Sequence, residues 1–129
     1  MILLLSMLGC DALFGSHEEK RAELPQMIRS IKKAQIANYE LLGFYVDADA
    51  YPKEPSSSSQ PWVIADSGGF TAFAWNPGVE SVYGSYSVKA SADDFVITAV
   101  SDIDGDGVQA TYTASKDTEP TLQTAAGMY

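Results

Sequence analysis

The chain has 129 residues and a formal net charge of −9, with 17 acidic residues against 8 basic ones, and 46% of its residues are hydrophobic. This length and composition predict one domain that is large enough to bury a core. The acidic excess excludes nucleic acid as a partner, because a protein that neutralises phosphates needs clustered lysine and arginine.

The first ten residues, MILLLSMLGC, resemble the end of a secretory signal. The apolar run from Ile2 to Leu8 has seven residues, far fewer than the roughly 20 that span a bilayer. Gly9-Cys10 is similar to the lipobox of bacterial lipoproteins, in which the cysteine is acylated after cleavage. We therefore expect a membrane anchor at Cys10. The alternative is an unprocessed apolar stub with a free thiol.

The predicted anchor divides the chain into a signal segment with a short tether, residues 1–16, and one domain, residues 17–129. A lipidated cysteine places a protein in the bacterial cell envelope. We therefore expect this protein to be held at a membrane and to face the periplasm or the cell surface. The alternative location is an extracellular filament.

Residues 16–42 predict one long amphipathic helix. At about 100° per residue, eight side chains fall within about one third of the circumference and form the face to be buried: Leu24, Met27, Ile28, Ile31, Ala34, Asn38, Leu41 and Leu42. Ser16 and Glu19 have the spacing of a capping box, and Gly43 suits the left-handed position that closes a helix. Pro25 lacks an N–H, so we expect a kink there or a regular helix that starts near residue 24.

The segment that follows the helix is rich in residues that break regular structure. Residues 47–61 contain three prolines and four consecutive serines. Proline and serine favour turns and open chain. We therefore predict an exposed loop over residues 47–61.

From Trp62 onward the apolar residues recur with the period of two that is typical of strands. Four segments are rich in β-branched or aromatic residues: 70–75, 81–90, 93–102 and 108–116. Turn residues separate them at 76–78, 92–94 and 104–107. Segment 93–102 has apolar side chains on both faces and should be the central strand. The predicted fold is α+β, with one long N-terminal helix packed on a four-stranded antiparallel meander.

Two stretches resemble the globular head of type IV pilins, especially the short pilins of deltaproteobacterial type. AQIANYELLGFYV resembles the end of the pilin helix, and AVSDIDGDGVQATYT resembles the last pilin hairpin. The resemblance covers roughly residues 18–117. It implies a helical spine with a four-stranded antiparallel sheet and a role in surface filaments or secretion pseudopili. Residues 1–16 are shorter than the apolar stem of those pilins, so the combination implies a pilin-like head held by Cys10.

An aspartate-rich segment is the one candidate metal site. Asp102, Asp104 and Asp106 alternate and are followed by Gly107, as at the start of a calcium loop. The twelfth position is Thr113 where such loops carry glutamate, so we expect weak binding, on the order of 10⁻⁴ to 10⁻³ M, with Gln109 or Asp117 as further ligands. The alternative interpretation is a β-hairpin turn that uses aspartate and glycine for their backbone preferences.

Catalysis is not expected, and no cofactor is predicted apart from weak Ca²⁺. The only histidine is His17 at the start of the helix, and the only cysteine is Cys10, so no nucleophile and base can be paired. Two function classes remain. The first is a non-enzymatic structural or interaction module that contacts pilin-like subunits or assembly proteins through a sheet edge or residues 47–61. The second is an extracytoplasmic module that binds calcium, or a glycan on exposed aromatic rings: Trp62, Trp75 and Tyr83.

Overall fold

The computed structural model describes residues 16–129. Cys10 and the predicted anchor lie outside the described residues. The helical elements are α1 (His17–Arg21), α2 (Glu23–Leu42), a 3-10 turn (Ile64–Asp66) and α3 (Gly69–Ala72). The strands are β1 (Ala48–Tyr51), β2 (Gln60–Pro61), β3 (Ser81–Val82), β4 (Ser85–Ala90), β5 (Phe95–Ser101), β6 (Ala110–Ser115) and β7 (Thr121–Leu122).

The predicted ends of the helical region are confirmed. The Glu19 backbone N–H donates to Ser16 Oγ (3.1 Å), and the Ser16 N–H donates to Glu19 Oε1 (3.4 Å), which completes the capping box. Gly43 has φ = 84° and donates its N–H to the Tyr39 carbonyl (2.7 Å). The helix is interrupted at residue 22, because Pro25 has no N–H to donate to the carbonyl four residues earlier.

A five-stranded antiparallel sheet lies against α2, in the order β1-β4-β5-β6-β7, and β2 and β3 form a separate two-stranded ribbon. The α+β prediction and the central position of β5 are confirmed. The count of four strands was too low. β1 and β7 both flank the meander as edge strands, and neither shows the long alternating pattern on which the prediction depended.

The prediction that residues 47–61 are a loop was wrong for 48–51 and 60–61, which are strands, and was confirmed for 52–59, which lack regular structure. Within this segment, Ala48 pairs with Val88 and Tyr51 pairs with Tyr86 in antiparallel register. Pro52 is buried directly after the strand. A strand is compatible with this proline because β1 ends before it and lies at the sheet edge, where a missing N–H costs little.

The segment 70–75, predicted as a strand, is the short helix α3 followed by a turn. Phe70 and Phe73 are both buried, three residues apart, which is the spacing of one helical face. Trp75 is buried as well. Ala74, between Phe73 and Trp75, has φ = 56°. The alternation of residue types in this segment therefore came from aromatic residues that pack into the core from a helix and a turn.

The buried face of α2 is a stripe spaced by four, three, four and three residues: Leu24, Ile28, Ile31, Gln35 and Asn38. The prediction that Leu41 and Leu42 are buried was wrong, since they are 82% and 61% exposed. The chain turns back at Gly43 and is held against the helix upstream of its last turn. Three fully buried aliphatic side chains contribute roughly 5 to 9 kcal/mol, before the entropic cost.

Buried polar side chains tie the chain to α2 at both ends. Near its C-terminus, Gln35 Nε2 donates to the Val46 carbonyl (2.7 Å), Gln35 Oε1 accepts the Val46 N–H (2.9 Å), and Asn38 Nδ2 donates to the Phe44 carbonyl (2.9 Å). Near its N-terminus, the Glu23 carboxylate accepts three donors, namely the backbone N–H groups of Tyr83 and Gly84 and the Tyr86 hydroxyl. These contacts hold both ends of α2 in place against the sheet.

Candidate functional site

The aspartate turn, residues 102–107, connects β5 to β6 as the hairpin interpretation predicted. One carboxylate oxygen from each of Asp102, Asp104 and Asp106 lies within 4.8 Å of the others. Asp102 is half-buried, and the other two are exposed. Oxygen ligands at this spacing can coordinate a hard cation such as Ca²⁺. The structure thus brings together the three residues that were predicted as ligands.

The same three carboxylates also organise the turn itself. The Gly107 N–H donates to Asp102 Oδ2 (3.2 Å), and the Asp106 N–H donates to Asp104 Oδ1 (3.4 Å). The Val108 N–H donates to Asp106 Oδ1 (2.8 Å) and so lowers the pKa of Asp106, with hydrogen bonding to Asp104 and Asp102 acting in the same direction. The hydrogen bonds that these carboxylates accept from the backbone of the turn therefore explain the aspartates without a metal.

The further ligands considered for this site do not complete it. Thr113 lies within β6 and is paired with Thr98. Asp117 follows the far end of β6, which at about 3.3 Å per residue is some 20 Å from the turn. Gln109 directly precedes β6 and is exposed, so among these three residues it is the one near the turn.

The aromatic residues considered for glycan binding are mostly core residues. Trp62 is 8% exposed and Trp75 is 5% exposed, so the prediction of exposed rings was wrong for both. Their rings pack edge to face at 5.3 Å, and Phe70 lies within a similar distance of each. Trp75 Nε1 donates to Ser30 Oγ (2.9 Å), whereas Trp62 Nε1 is buried without a hydrogen-bond partner. The rings contribute packing inside the fold.

The largest exposed apolar side chains gather at the C-terminal end of α2. Tyr39, Leu41, Leu42 and Phe44 are 39%, 82%, 61% and 52% exposed. We call these four residues the helix-end surface. Exposed apolar residues that lie singly are ordinary, but four of them at one end of a helix give that end an apolar surface that a partner could cover.

A shallow groove adjoins this surface, between α2 and the turn that follows α3. Its volume is about 330 Å³, and it is lined by Ala34, Ala37, Asn38, Leu41, Ala72, Phe73 and Ala74. We call it the α2 groove. Most of the lining side chains are small, so the groove can accept an inserted aliphatic side chain. Ala74 forms one wall of the groove. Its φ is positive, which is uncommon for a residue with a Cβ.

The opposite side of α2 is covered by the turn between β6 and β7. Lys32 Nζ donates to the Thr118 carbonyl (2.8 Å), and Arg29 Nε lies 3.5 Å from Glu119 Oε1. Basic residues on this side of the helix are thus engaged with the chain's own turn.

Sequence reasoning missed the helix-end surface because it assigned Leu41 and Leu42 to the core. A usable signal was present: the segment LLGF, residues 41–44, continues apolar across the glycine that ends the helix. The buried stripe of α2 ends at Asn38, so the last turn of the helix is not covered by the sheet. His17, by contrast, is exposed at the start of α1 as predicted, with its ring 5.5 Å from that of Tyr129.

Comparison of the chain with protein-family models, with curated proteins and with solved structures finds no match in any of the three. Over residues 16–129, no helix has both the length and the apolar character needed to cross a membrane.

Proposed function

We propose that this protein is a non-enzymatic, pilin-like interaction module of the bacterial cell envelope, tethered to a membrane through an acylated Cys10. In this role it acts as an accessory lipoprotein or an atypical subunit of a type IV pilus or a secretion-type filament machinery. Its partners are then pilin-like subunits or assembly proteins that dock on the helix-end surface.

The arrangement of the chain along α2 supports a tethered module. Residues 1–15 join the described domain at Ser16, next to α1. The helix-end surface lies at the other end of α2, a helix of 20 residues, which at 1.5 Å per residue is about 30 Å long. A tether at one end leaves the other end free to meet a partner.

One observation carries the proposal: the clustered exposure of Tyr39, Leu41, Leu42 and Phe44. Because these side chains are 39 to 82% exposed, each forgoes a part of the roughly 1.5 to 3 kcal/mol that full burial of an aliphatic or aromatic side chain contributes. A contact with another protein recovers that free energy. The sheet edge and residues 47–61 support a docking role less well, because β1 and Pro52 are part of the folded sheet.

The anchor is tested by the mass of the mature N-terminus purified from cells. A diacylated or triacylated Cys10 supports the proposal, and Cys10→Ser should then release the protein from the membrane fraction. An N-methylated apolar residue in place of Cys10 would indicate an ordinary pilin instead. An unmodified N-terminus with a free thiol would contradict the anchor.

The docking surface is tested separately by a photo-crosslinking amino acid placed at Leu42 in the full chain. We expect crosslinked protein from Leu42 and none from Val108, an exposed apolar residue (48%) beside the aspartate turn. Equal crosslinking at both positions, or none at Leu42, would contradict the assigned surface.

The convergence of the three carboxylates in the aspartate turn favours calcium binding as a second candidate function. It is compatible with the first, since a cation would rigidify the hairpin without touching the helix-end surface. A thermal melt with and without millimolar Ca²⁺ tests it. The glycan alternative is not retained, because Trp62 and Trp75 are buried.

A further inference from the structure

A second stripe of residues runs along α2 beside the one that faces the sheet. Ser30, Ala34, Ala37 and Leu41 are spaced by four, three and four residues, so they lie on one line of the helix surface. At about 100° per residue this stripe is about 110° around the helix from the buried one. It borders the α2 groove, which Ala34, Ala37 and Leu41 help to line.

This stripe combines a projecting side chain with a recess of matching size. Leu41 is 82% exposed. The groove beside it, about 330 Å³ in volume, is lined largely by alanines. A surface that has both a knob and a socket can pair with a second copy of itself through a two-fold axis, because each copy then fills the socket of the other.

The charges beside the stripe indicate the direction of that pairing. Lys33 and Glu40 are exposed on the same flank of the stripe, two helical turns apart. Neither forms a salt bridge within residues 16–129. When two helices pack antiparallel, identical flanks face each other, so Lys33 of one copy meets Glu40 of the other, twice. In a parallel pair these flanks would not meet.

The overall charge distribution also favours self-contact at this helix. Two copies of a chain with net charge −9 repel each other over most of their surfaces. Beside the stripe on α2, however, the exposed charges of Lys33 and Glu40 cancel each other. Repulsion between copies is therefore smallest where the knob and the socket lie.

We propose that the partner of this surface is a second copy of the same chain, in a symmetric pair with antiparallel α2 helices that cross near Ala37. Leu41 of each copy then occupies the α2 groove of the other. This proposal deepens the proposed interaction function, since it names the partner of the helix-end surface.

The antiparallel arrangement constrains the tethers. The two Ser16 residues leave the pair at opposite ends, so both chains reach one membrane only when the helices lie along its plane. We expect a weak pair, with dissociation constants of roughly 10 to 100 µM for free protein. Tethering in a membrane raises the local concentration and favours the pair.

Cysteine crosslinking of the full chain tests the arrangement, in a Cys10→Ser background that contains no other thiol. In an antiparallel pair centred near Ala37, two Ala37→Cys residues face each other and form a disulfide under an added oxidant. Gln26→Cys is the matched control, because it is exposed on the same side of α2 but its two copies would lie about 35 Å apart along the axis. Crosslinking at both positions indicates a parallel pair and overturns the proposal, as does crosslinking at neither.

Sedimentation velocity with purified full chain tests the contacts. Leu41→Asp should weaken the dimer by roughly a hundredfold, because each change acts twice in a symmetric contact. Val79→Asp, at another exposed apolar position (53% exposed), should leave it unchanged. Lys33→Glu should weaken the dimer by roughly tenfold, and Lys33→Glu combined with Glu40→Lys should restore it. A dimer that survives Leu41→Asp, or a double variant no better than the single one, refutes the proposed register.

Failure of the self-pairing proposal can be distinguished from failure of the proposed interaction function. If Leu42 photo-crosslinks to a different protein while Ala37→Cys gives no dimer, the interaction function stands and the self-pairing is wrong. If neither position crosslinks, both are wrong. The mass of the mature N-terminus reports on the anchor alone and does not depend on either result.

Discussion

Gln35 offers the sharpest test of how α2 is held to the sheet. Its side chain is fully buried, and its amide exchanges two hydrogen bonds with the backbone of Val46, at 2.7 and 2.9 Å. The substitution Gln35→Leu keeps the volume and the helical propensity but removes both partners. The N–H and the carbonyl of Val46 then lose their hydrogen bonds at the entrance to β1.

The expected cost follows from those two groups. Leaving a buried backbone donor or acceptor unpaired costs about 1 to 3 kcal/mol each. The added apolar burial of leucine offsets about 1 kcal/mol. We therefore expect the free energy of unfolding to fall by about 1 to 5 kcal/mol, and the melting temperature by roughly 4 to 20 °C for a domain of this size.

The assay is urea unfolding followed by tryptophan fluorescence, since Trp62 and Trp75 are both core residues. The matched control is Gln26→Leu, an exposed position of the same helix that should change stability by less than about 0.5 kcal/mol. The reasoning is refuted if Gln35→Leu is as stable as the wild type, or if both substitutions cost the same.

Two further predictions concern ionisable groups. Burial raises the pKa of Tyr86 well above its ordinary value, and the Glu23 carboxylate acts in the same direction. The stability contributed by the neutral phenol is therefore complete below about pH 10 and lost as the pH rises through the folded-state pKa. Stability measured against pH should fall less steeply above pH 10 in Tyr86→Phe; an unchanged slope would contradict this. For the aspartate turn, binding at 10⁻⁴ to 10⁻³ M predicts that 10 mM Ca²⁺ stabilises the fold by about 1.4 to 2.7 kcal/mol, and that Asp104→Asn removes the shift. No change in melting temperature at 10 mM Ca²⁺ excludes the site.

The elements with strong local signals were predictable from the sequence. The capping box at Ser16, the closing Gly43, the central β5 and the hairpin turn at 102–107 all depend on residues close together in the chain. The errors arose where long-range packing decides the structure. β1 forms because Tyr51 packs its ring against Trp62, at 4.7 Å, and because Ala48 registers with Val88, and neither contact is visible in local composition.

The candidate site divides in the same way. Aspartates at alternate positions of one tight turn lie close together, so Asp102, Asp104 and Asp106 could be placed together from the sequence. The exposure of Leu41 could not, because helical periodicity gives the angle of a residue but not the point at which the sheet ends. The hydrogen bonds between Gln35 and Val46 were missed for a related reason. The sequence shows a glutamine within an apolar stripe but does not show which backbone groups it binds.

The three sides of α2 explain why a partner is expected at one of them. The first side is covered by the sheet through Leu24, Ile28 and Ile31. The second is engaged by the β6–β7 turn through Arg29 and Lys32. The third has small residues flanked by Lys33 and Glu40, and within residues 16–129 only the turn after α3 approaches it. Small apolar side chains gain nothing from contact with water, and they allow another helix to approach closely. The unmatched side of the helix is thus where binding would add most to stability.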